Sequence, residues 1–266
     1  MILVLGPNGT LGQAVMERLL LDCVPRIGTS ARIHVWSDMK RVISQLPMYS
    51  VIINCAGDIH RDPVDEDRMY AANVTGPRVV AHLADLYGHY VIHVSTDCVF
   101  HGQFSEIHDV GDYLTPSDFY GWSKAVGEPS GGRIVNVRTS FIAPTQGIWA
   151  DALGNKPLVG WSGVMWSGGT VTTVARALVS LAVHIHDLNG EDVDGPEDIA
   201  GVENVDGKRI VHLATEIPVS KFDVLKLLAP HKPIVNEPFP CYSRALVPTI
   251  TLPPLVEQIA SEATGG

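Results

Sequence analysis

Short apolar runs of strand length alternate with longer amphipathic runs through most of this 266-residue chain. The helical pattern is clearest after the first run, where Leu11, Val15, Leu19 and Leu20 fall on one face. Short buried strands that alternate with helices indicate parallel βαβ units. Residues 37–50 leave room for only a short helix. We therefore predict an α/β fold, a Rossmann-type doubly wound parallel sheet, with strands at 2–5, 32–36, 51–56, 90–95, 133–138 and 210–214.

The first strand runs directly into a glycine-rich turn, "GPNGTLG", in which Gly6, Gly9 and Gly12 are spaced three apart. At the first βα junction, such glycines let the backbone approach a pyrophosphate at the positive end of a helix. The spacing differs from the G-x-G-x-x-G of ordinary dehydrogenases. Because the glycine-rich turn lies at the start of the βαβ series, we nevertheless predict a dinucleotide site.

Charged residues follow the predicted second strand. Asp38 could bond an adenosine ribose hydroxyl, which would favour NAD, whereas Lys40 and Arg41 could meet a 2′-phosphate, which would favour NADP. All three could equally form a solvated surface turn. The choice between NAD and NADP stays open.

The pattern changes after about residue 140. Residues 144–169 are rich in Gly, Pro and Trp with little periodicity, which is typical of loops over a pocket. Residues 168–185 then indicate a helix that packs on the sheet. We predict a dinucleotide-binding domain over 1–140 and a smaller C-terminal substrate-binding lobe over 141–266, partly interleaved through the strand near 210–214.

Composition excludes several classes of function. A net charge of −10 without a Lys/Arg cluster argues against nucleic acid as a partner. The four cysteines lie far apart and the histidines lack ligand spacing, so we predict reduced thiols and no metal. The longest apolar stretch is too short to span a membrane. Because a strand begins at residue 1 without a basic segment, we expect a cytoplasmic protein.

Two further motifs carry groups suited to catalysis. "STDCVFHG" begins where the fourth strand ends, at the sheet edge where ligands bind in parallel α/β folds. "FYGWSKAVGE" places Tyr120 and Lys124 one helical turn apart, with Thr115 and Pro116 expected at the helix start. An ammonium beside a phenol lowers its pKa, so Tyr120 could exchange a proton with a substrate oxygen.

Six stretches occur in a familiar order over residues 1–142: "GPNGTLG", "VIINCAGDIH", "AANVTGP", "VSTDCVFHG", "YGWSKAVGE" and "VRTSFI". Together they resemble the extended short-chain dehydrogenase/reductases, in the NAD-dependent epimerase/dehydratase superfamily, and within them the dTDP-4-dehydrorhamnose reductase-like branch. The resemblance implies an NAD(H)- or NADP(H)-dependent reductase of a 4-keto group on a nucleotide-linked deoxysugar.

The resemblance also implies roles for individual residues. Thr96 would bond the C4 oxygen, Tyr120 would donate the proton, and Lys124 would hold the nicotinamide ribose and tune Tyr120. Asn73 would lie near the centre of the sheet, although it could equally bond backbone at the strand edge. The remaining residues implied to line the cofactor are Gly6, Asn8, Gly9, Thr10, Leu11, Gly12, Cys55, Ala56 and Gly57.

The chain departs from the branch at Cys98, where tyrosine is usual. The thiol could widen the pocket or repack a strand end. Asp97 would contact substrate or cap the strand exit. Dehydratases of the wider group carry an Asp-Glu pair after the threonine. Because Glu is absent here, dehydration is disfavoured.

Three residues of the C-terminal part are candidates for substrate contact. Trp161 and Trp166 could stack on a base or cover a sugar, or they could anchor a loop. Arg244 could bind a substrate diphosphate, or it could lie on the surface.

Alternative functions remain open at this level. A nucleotide-sugar epimerase would use the same triad, and a non-catalytic NADP-binding regulatory subunit would keep the fold. The intact Thr96, Tyr120 and Lys124 favour the enzyme. By resemblance, helices around 68–87 and 116–128 could form a homodimer seam.

Overall fold

The protein is described from a computed structural model. The structure describes residues 1–59, 64–102, 106–188 and 199–263. The strands of the central sheet are β1 (Ile2–Leu5), β2 (Arg26–Thr29), β3 (Val51–Asn54), β4 (Tyr90–Val94), β6 (Ile134–Thr139), β11 (Glu203–Val205), β12 (Lys208–Thr215) and β17 (Ile250–Leu252). The short strands outside it are β5 (Ile107–His108), β7 (Phe141–Ile142), β8 (Leu158–Trp161), β9 (Val164–Trp166), β10 (Gly169–Thr170), β13 (Val219–Ser220), β14 (Ile234–Glu237), β15 (Tyr242–Ser243) and β16 (Ala245–Leu246).

The helices alternate with the strands of the central sheet along the first half of the chain. They are α1 (Thr10–Leu21), α2 (Trp36–Ile43), α3 (Glu66–Tyr70), α4 (Gly76–Tyr87), α5 (Phe119–Gly127), α6 (Gly147–Leu153), α7 (Val171–Asp187), α8 (Lys221–Leu228) and α9 (Leu255–Ala263). A π-helical turn, Ala71–Thr75, joins α3 to α4. The short helix that we expected before the third strand is confirmed as α2, with eight residues.

Within the described residues, the central sheet has the order β11-β12-β6-β4-β3-β1-β2, and β17 also pairs with β12. All pairs are parallel except β11 with β12. Strands β12 and β17 come from the second half of the chain and complete the sheet. The predicted α/β fold of the Rossmann type is confirmed, while the division at residue 140 and the homodimer stay predictions.

Helices cover both faces of the sheet. On one face, α1 and α7 pack against β1, β3 and β4 through aliphatic side chains such as Leu11, Val15 and Leu178. On the other face, α2 and α4 pack through residues such as Ile43 and Val80. Burial of these apolar surfaces removes them from water, which is the main source of stability for such a fold. The carboxyl ends of the parallel strands are left open to a ligand.

The second strand is not where the sequence placed it. We predicted 32–36, but β2 is Arg26–Thr29, and Ile33 instead packs in the core beneath α2 and α4. Strand β2 lies at the sheet edge and is half-exposed, with Gly28 near its end. An edge strand needs no run of apolar residues, so the apolar pattern at 32–36 misled the prediction.

The region predicted as loops also differs. Residues 144–169 contain α6, β8 and β9, and the two strands pair with β14 and β15 from far along the chain. Trp149 and Trp166 are buried between these elements. Because the partners lie about 80 residues away in sequence, local periodicity gives no sign of them.

Within the described ranges, no helix is long and apolar enough to cross a membrane. Among the same residues, no three His, Cys, Asp or Glu side chains lie together in a way that could hold a metal ion.

Candidate active site

The glycine turn after β1 lies against the end of β3. Gly6 has a φ of 73°, and a Cβ there would lie 2.8 Å from the Cα of Ala56. The turn closes with a 3.1 Å hydrogen bond from the Gly9 amide to the Gly6 carbonyl. Helix α1 then begins after Gly9, which has no side chain to cap it. The amides at the start of this twelve-residue helix favour an anion.

The other residues predicted around this turn have different environments. Leu11 and Gly12 are buried, with Leu11 in the core beneath the sheet. Asn8 is exposed and donates to the Ser30 hydroxyl over 2.9 Å. Thr10 is half-buried at the first position of α1. The backbone of this segment and Asn8 therefore face outward, whereas Leu11 stabilises the helix.

Cys55, Ala56 and Gly57 continue β3 past its end, beside the glycine turn. The Cys55 amide donates to the Leu5 carbonyl over 3.1 Å, and the Ala56 amide donates to the Asn54 side chain over 3.1 Å. Burial raises the pKa of the Cys55 thiol to about 12, which keeps it protonated. The segment lies at the carboxyl edge of the sheet, and its contact with a dinucleotide stays a prediction.

Asn73 lies on the π-helical turn and fixes the next part of this segment. Its Oδ1 accepts from the Asp58 amide over 2.8 Å, and its Nδ2 donates to the Asp58 carbonyl and the Ser123 hydroxyl over 2.9 and 3.0 Å. Both N–H donors of the amide are thus used by the protein. The structure supports the alternative that Asn73 bonds backbone at the strand edge.

The strand exit of β4 presents a set of polar side chains. The Thr96 hydroxyl accepts from the Cys98 amide and donates to the Asp97 carboxylate, both over 3.2 Å. The Thr96 side chain also acts to lower the pKa of the nearby Tyr120 hydroxyl, against the larger effect of burial. Thr96 and Asp97 are buried. Thr96 therefore lies at the strand exit near Tyr120, and its bond to the C4 oxygen of a substrate stays a prediction.

Helix α5 brings Tyr120 to this point through a very close approach. A Cβ at Gly121 would lie 2.2 Å from the carbonyl oxygen of Cys98, so the glycine allows the helix to touch the strand exit. The helix begins at Phe119, with Asp118 accepting from the Gly121 amide over 2.7 Å. The expected start at Thr115 and Pro116 was wrong, because the Thr115 hydroxyl instead accepts from the His101 amide.

Lys124 lies one turn further along α5 and is buried. Its Nζ donates to the Val94 carbonyl over 2.7 Å, at the last residue of β4. Burial lowers the pKa of Lys124 to about 8, against the opposing charge of Glu128. The same effect of burial, together with the nearby acidic groups, raises the pKa of the Tyr120 hydroxyl. This corrects our expectation that Lys124 would lower the pKa of that phenol.

Arg244 lies within the site, between β15 and β16. Its Nη1 contacts the Sγ of Cys98 over 3.1 Å, and its guanidinium lies over the Tyr242 ring at 5.1 Å. Burial raises the pKa of Asp97, against the positive charges of Arg244 and Lys221. Burial and the Asp97 charge raise the pKa of the Cys98 thiol to about 12. Cys98 therefore remains a thiol and packs against the guanidinium.

A cavity of about 540 Å³ lies beside Asp97, Cys98 and Arg244, and residues from both halves of the chain line it. Trp166 lines it, whereas Trp161 is not among its lining residues and instead donates to Glu237 over 3.4 Å. The polar residues that line the cavity are Asp97, Cys98, Ser140, Gln146, Lys221, Tyr242 and Arg244.

Asp38 does not lie at the end of a strand. It is in the first turn of α2 and accepts from the Arg32 guanidinium over 3.0 Å. Lys40 and Arg41 are further along the same helix, and both are exposed. The error follows from the misplaced second strand. The residues that follow β2 directly are Ser30, Ala31 and Arg32.

Sequence reasoning missed several residues around the site. Lys221 and Tyr242 line the cavity from the second half of the chain, and no local pattern singles them out. Glu128 ends the "YGWSKAVGE" motif, and Arg138 donates to it through two bonds of 2.9 Å, while Ser95 donates over 2.8 Å. The acidic Glu128 within the motif could have indicated an ion pair, but its partner Arg138 lies on a different element.

The chain matches known proteins in sequence. Residues 1–147 match the family model described as the RmlD substrate binding domain. A probable low-salt glycan biosynthesis reductase, Agl14, from Haloferax volcanii is 31% identical over 57% of this chain and 56% of its own length. The dTDP-4-dehydrorhamnose reductase of Mycobacterium tuberculosis is 38% identical over 29% of this chain and 28% of its own. The chain thus spans about half the length, or less, of these curated relatives.

Solved structures share the fold. The dTDP-4-dehydrorhamnose reductase of Bacillus anthracis, in complex with NADP, has a TM-score of 0.81 and 18% identity, covering 100% of this chain and 98% of that one. The enzyme WbmG of Bordetella bronchiseptica, in complex with NAD and UDP, has a TM-score of 0.69 and 15% identity, covering 99% and 95%. At such identities the likeness shows the fold alone.

Proposed function

Because the chain belongs to the RmlD substrate binding domain family, we propose that it reduces a 4-keto group on a nucleotide-linked deoxysugar with NADH or NADPH. One observation carries the proposal. Helix α5 holds Tyr120 against the strand exit that carries Thr96, with Lys124 one helical turn away and bonded to the last residue of β4. Asp97 and Cys98, which follow Thr96 directly, line the cavity of about 540 Å³.

The residues present fit a dinucleotide. The glycine turn and the start of α1 offer backbone amides to a pyrophosphate, and the Cys55–Gly57 segment borders the same edge of the sheet. Lys124 lies near this segment, since a Cβ at Gly57 would be 3.9 Å from its Nζ. A bound reduced nicotinamide would supply hydride to the carbonyl carbon of the sugar.

Tyr120 is suited to donate the proton that completes the reduction. Its raised pKa keeps the phenol protonated at neutral pH, which an acid needs before the reaction begins. Thr96 offers a hydroxyl to the same substrate oxygen. Lys124, with a pKa of about 8, can return a proton towards Tyr120 after turnover. The proton goes from the phenol to the carbonyl oxygen as the new carbon–hydrogen bond forms.

The C-terminal lobe supplies the substrate contacts. Arg244 and Lys221 bring two positive charges to a cavity that contains a single carboxylate, Asp97, among its lining residues. A guanidinium binds phosphate oxygens through paired hydrogen bonds, so these residues favour the diphosphate of a nucleotide sugar. Trp166 offers an apolar wall to the sugar. Trp161, which lies outside the lining, is not part of this proposal.

The test is consumption of NADPH and NADH with a panel of nucleotide-linked 4-keto-6-deoxysugars. We expect turnover by the wild type and a loss of about 10³-fold in kcat for Tyr120→Phe, as for removal of a positioned general acid. Binding of NADPH, followed by calorimetry, should be unchanged in the variant. Tyr113→Phe is the matched control, since Tyr113 is 95% exposed and should keep full activity.

Two results would count against the proposal. Equal turnover by Tyr120→Phe and the wild type would remove Tyr120 as proton donor. NADPH binding without reduction of any sugar in a broad panel, including sugars shown to bind, would instead support a regulatory subunit.

A further inference from the structure

A second cavity, of about 510 Å³, lies at the opposite edge of the sheet from the candidate active site. Its walls come from α4, from the turn that joins α5 to β6, and from the first residue of β12. Strands β4, β6 and β12 pair in parallel, so their amino ends meet at this edge. The cavity shares no lining residue with the one beside Asp97.

Three positively charged side chains line this cavity, although the chain as a whole carries a net charge of −10. They are Arg78 of α4, Arg133 directly before β6, and Lys208 at the start of β12. Each comes from a different element, so the fold brings them together around one space. Such a concentration of positive charge attracts an anion.

Carboxylates offset only part of this charge. Glu128 and Asp85 also line the cavity. Glu128 accepts two hydrogen bonds of 2.9 Å from Arg138, so its charge is already paired, and the Nζ of Lys208 lies 3.9 Å from it. Asp85 is exposed on α4. The three cations of the lining therefore outweigh the remaining carboxylate.

The C-terminal ends of α4 and α5 lie at the same edge, and helix ends of this polarity disfavour anions. Carbonyls at both ends already accept hydrogen bonds. The His89 amide donates to the Ala84 carbonyl over 2.8 Å, and Nη2 of Arg78 donates to the Val126 carbonyl over 3.2 Å. The partial negative charge of the helix ends is thus met within the protein.

Arg133 is held in place with its donors unpaired. Its guanidinium carbon lies 5.5 Å from the centre of the Tyr90 ring and 5.9 Å from that of the Tyr49 ring. The two rings fix the guanidinium without accepting hydrogen bonds from its N–H groups. Among the residues that the structure describes, no acceptor bonds these groups. They remain available to a ligand.

The turn between α5 and β6 adds backbone donors. It reads "PSGGR" over residues 129–133. Ser130 and Gly131 are exposed and line the cavity. In the part of the chain that the structure describes, their amides donate to no protein acceptor. Free amides on a glycine turn suit phosphate oxygens.

The remaining walls are apolar and come from Ala81, Val126, Pro129 and Ile134. The volume falls in the range of about 300–1,000 Å³ that is typical of small-molecule sites, and it is larger than a bare phosphate fills. A phosphate that carries an organic part therefore matches the cavity in both charge and size.

We propose that this cavity binds a small phosphorylated metabolite of the sugar phosphate class. Arg78, Arg133, Lys208 and the amides of the turn surround the phosphate, and the apolar walls contact the organic part. The site is separate from the proposed reductase site and does not depend on it.

The test measures the binding of glucose 6-phosphate and of inorganic phosphate by calorimetry, with NADPH present in excess to fill the dinucleotide site. We expect one binding event, tighter for glucose 6-phosphate. Arg133→Gln should weaken it at least about tenfold, as for loss of hydrogen bonds between charged groups. Asp85→Asn should instead tighten it, because the opposing carboxylate is removed.

Two variants serve as matched controls. Arg41→Gln removes the same charge from an exposed position of α2, and Arg244→Gln removes it from the other cavity, so both should keep the binding. Arg78→Gln changes an exposed side chain of this cavity and should show the expected loss even if Arg133→Gln does not fold.

Each other outcome overturns the proposal. No binding of glucose 6-phosphate, or binding of inorganic phosphate alone, would remove the metabolite site. Equal losses in Arg78→Gln and Arg41→Gln would reduce the binding to net charge. A loss in Arg244→Gln alone would place the phosphate in the candidate active site. None of these results bears on the proposed reduction, which the turnover assay tests separately.

Discussion

The two ends of α5 carry ionisable groups with opposite behaviour. At the start of the helix, the Tyr120 hydroxyl lies near Thr96 at the strand exit, and burial raises the pKa of Tyr120. Just beyond its end, burial also acts to raise the pKa of Glu128, but the hydrogen bonds and charge of Arg138 outweigh it and lower that pKa. The comparison shows that the partner, and not burial alone, decides whether a buried acid holds its proton.

This difference divides the motif "YGWSKAVGE" into two parts. Its first part holds a neutral phenol that can donate a proton, and its last part holds a fixed charge that ties α5 to β6 through Arg138. Lys124 lies between these two parts, and the charge of Glu128 acts to raise the pKa of Lys124. We therefore expect substitutions at the last part to cost stability and substitutions at the first part to cost activity.

The largest effect on stability should come from Glu128→Gln. The change leaves the buried Arg138 guanidinium without a counter-charge, which costs about 3–5 kcal/mol. Chemical denaturation would measure the loss. Glu257→Gln is the matched control, since Glu257 is exposed on α9 and its substitution should change stability by less than about 0.5 kcal/mol. A loss in Glu128→Gln as small as in the control would contradict an anchoring role.

The same variant should change the response to acid. Because the folded pKa of Glu128 is lowered, its contribution is present above the unfolded pKa of about 4.3 and is lost as pH falls through the folded pKa. The difference between wild type and Glu128→Gln should therefore shrink below about pH 4. A difference that stays constant in acid would show that the charge is not responsible.

Gly121→Ala, in the first part of the motif, should lower both stability and activity. The new Cβ would lie 2.2 Å from a backbone oxygen, so α5 must move away from the strand exit. We expect a loss of about 3 kcal/mol in stability, and a decrease in kcat because Tyr120 moves with the helix. Gly132→Ala is the matched control, because nothing lies within 4 Å of a Cβ there. Similar results for the two variants would contradict the close approach.

Lys124→Met should give an effect that is confined to alkaline pH. The unfolded chain keeps the Lys124 proton to about 10.5, but the folded protein releases it at about 8. Between these values the unfolded state binds more protons, so wild-type stability rises with pH relative to the variant, by about 3 kcal/mol. Denaturation at pH values across this window would measure the change. Parallel curves would show that Lys124 is not buried as described.

The motifs near the glycine turn and α5 were readable because they are local. The spacing of Tyr120 and Lys124 places them one turn apart on any α-helix, and Thr96 follows a strand whose apolar run is unmistakable. Both placements are found in the structure. The edge strand β2, by contrast, has no apolar run and was misplaced, and Asp38 was misplaced with it.

The sequence by itself determined the βαβ series, the glycine turn, the strand-end hydroxyl and the Tyr-Lys spacing, because each depends on side-chain direction within one element. Only the tertiary structure decided that Arg244 and Lys221 face Asp97, that Arg32 follows β2, and that the pKa of Tyr120 is raised. These depend on pairing between distant segments and on the loss of water around a buried group, and neither leaves a periodic pattern in the chain.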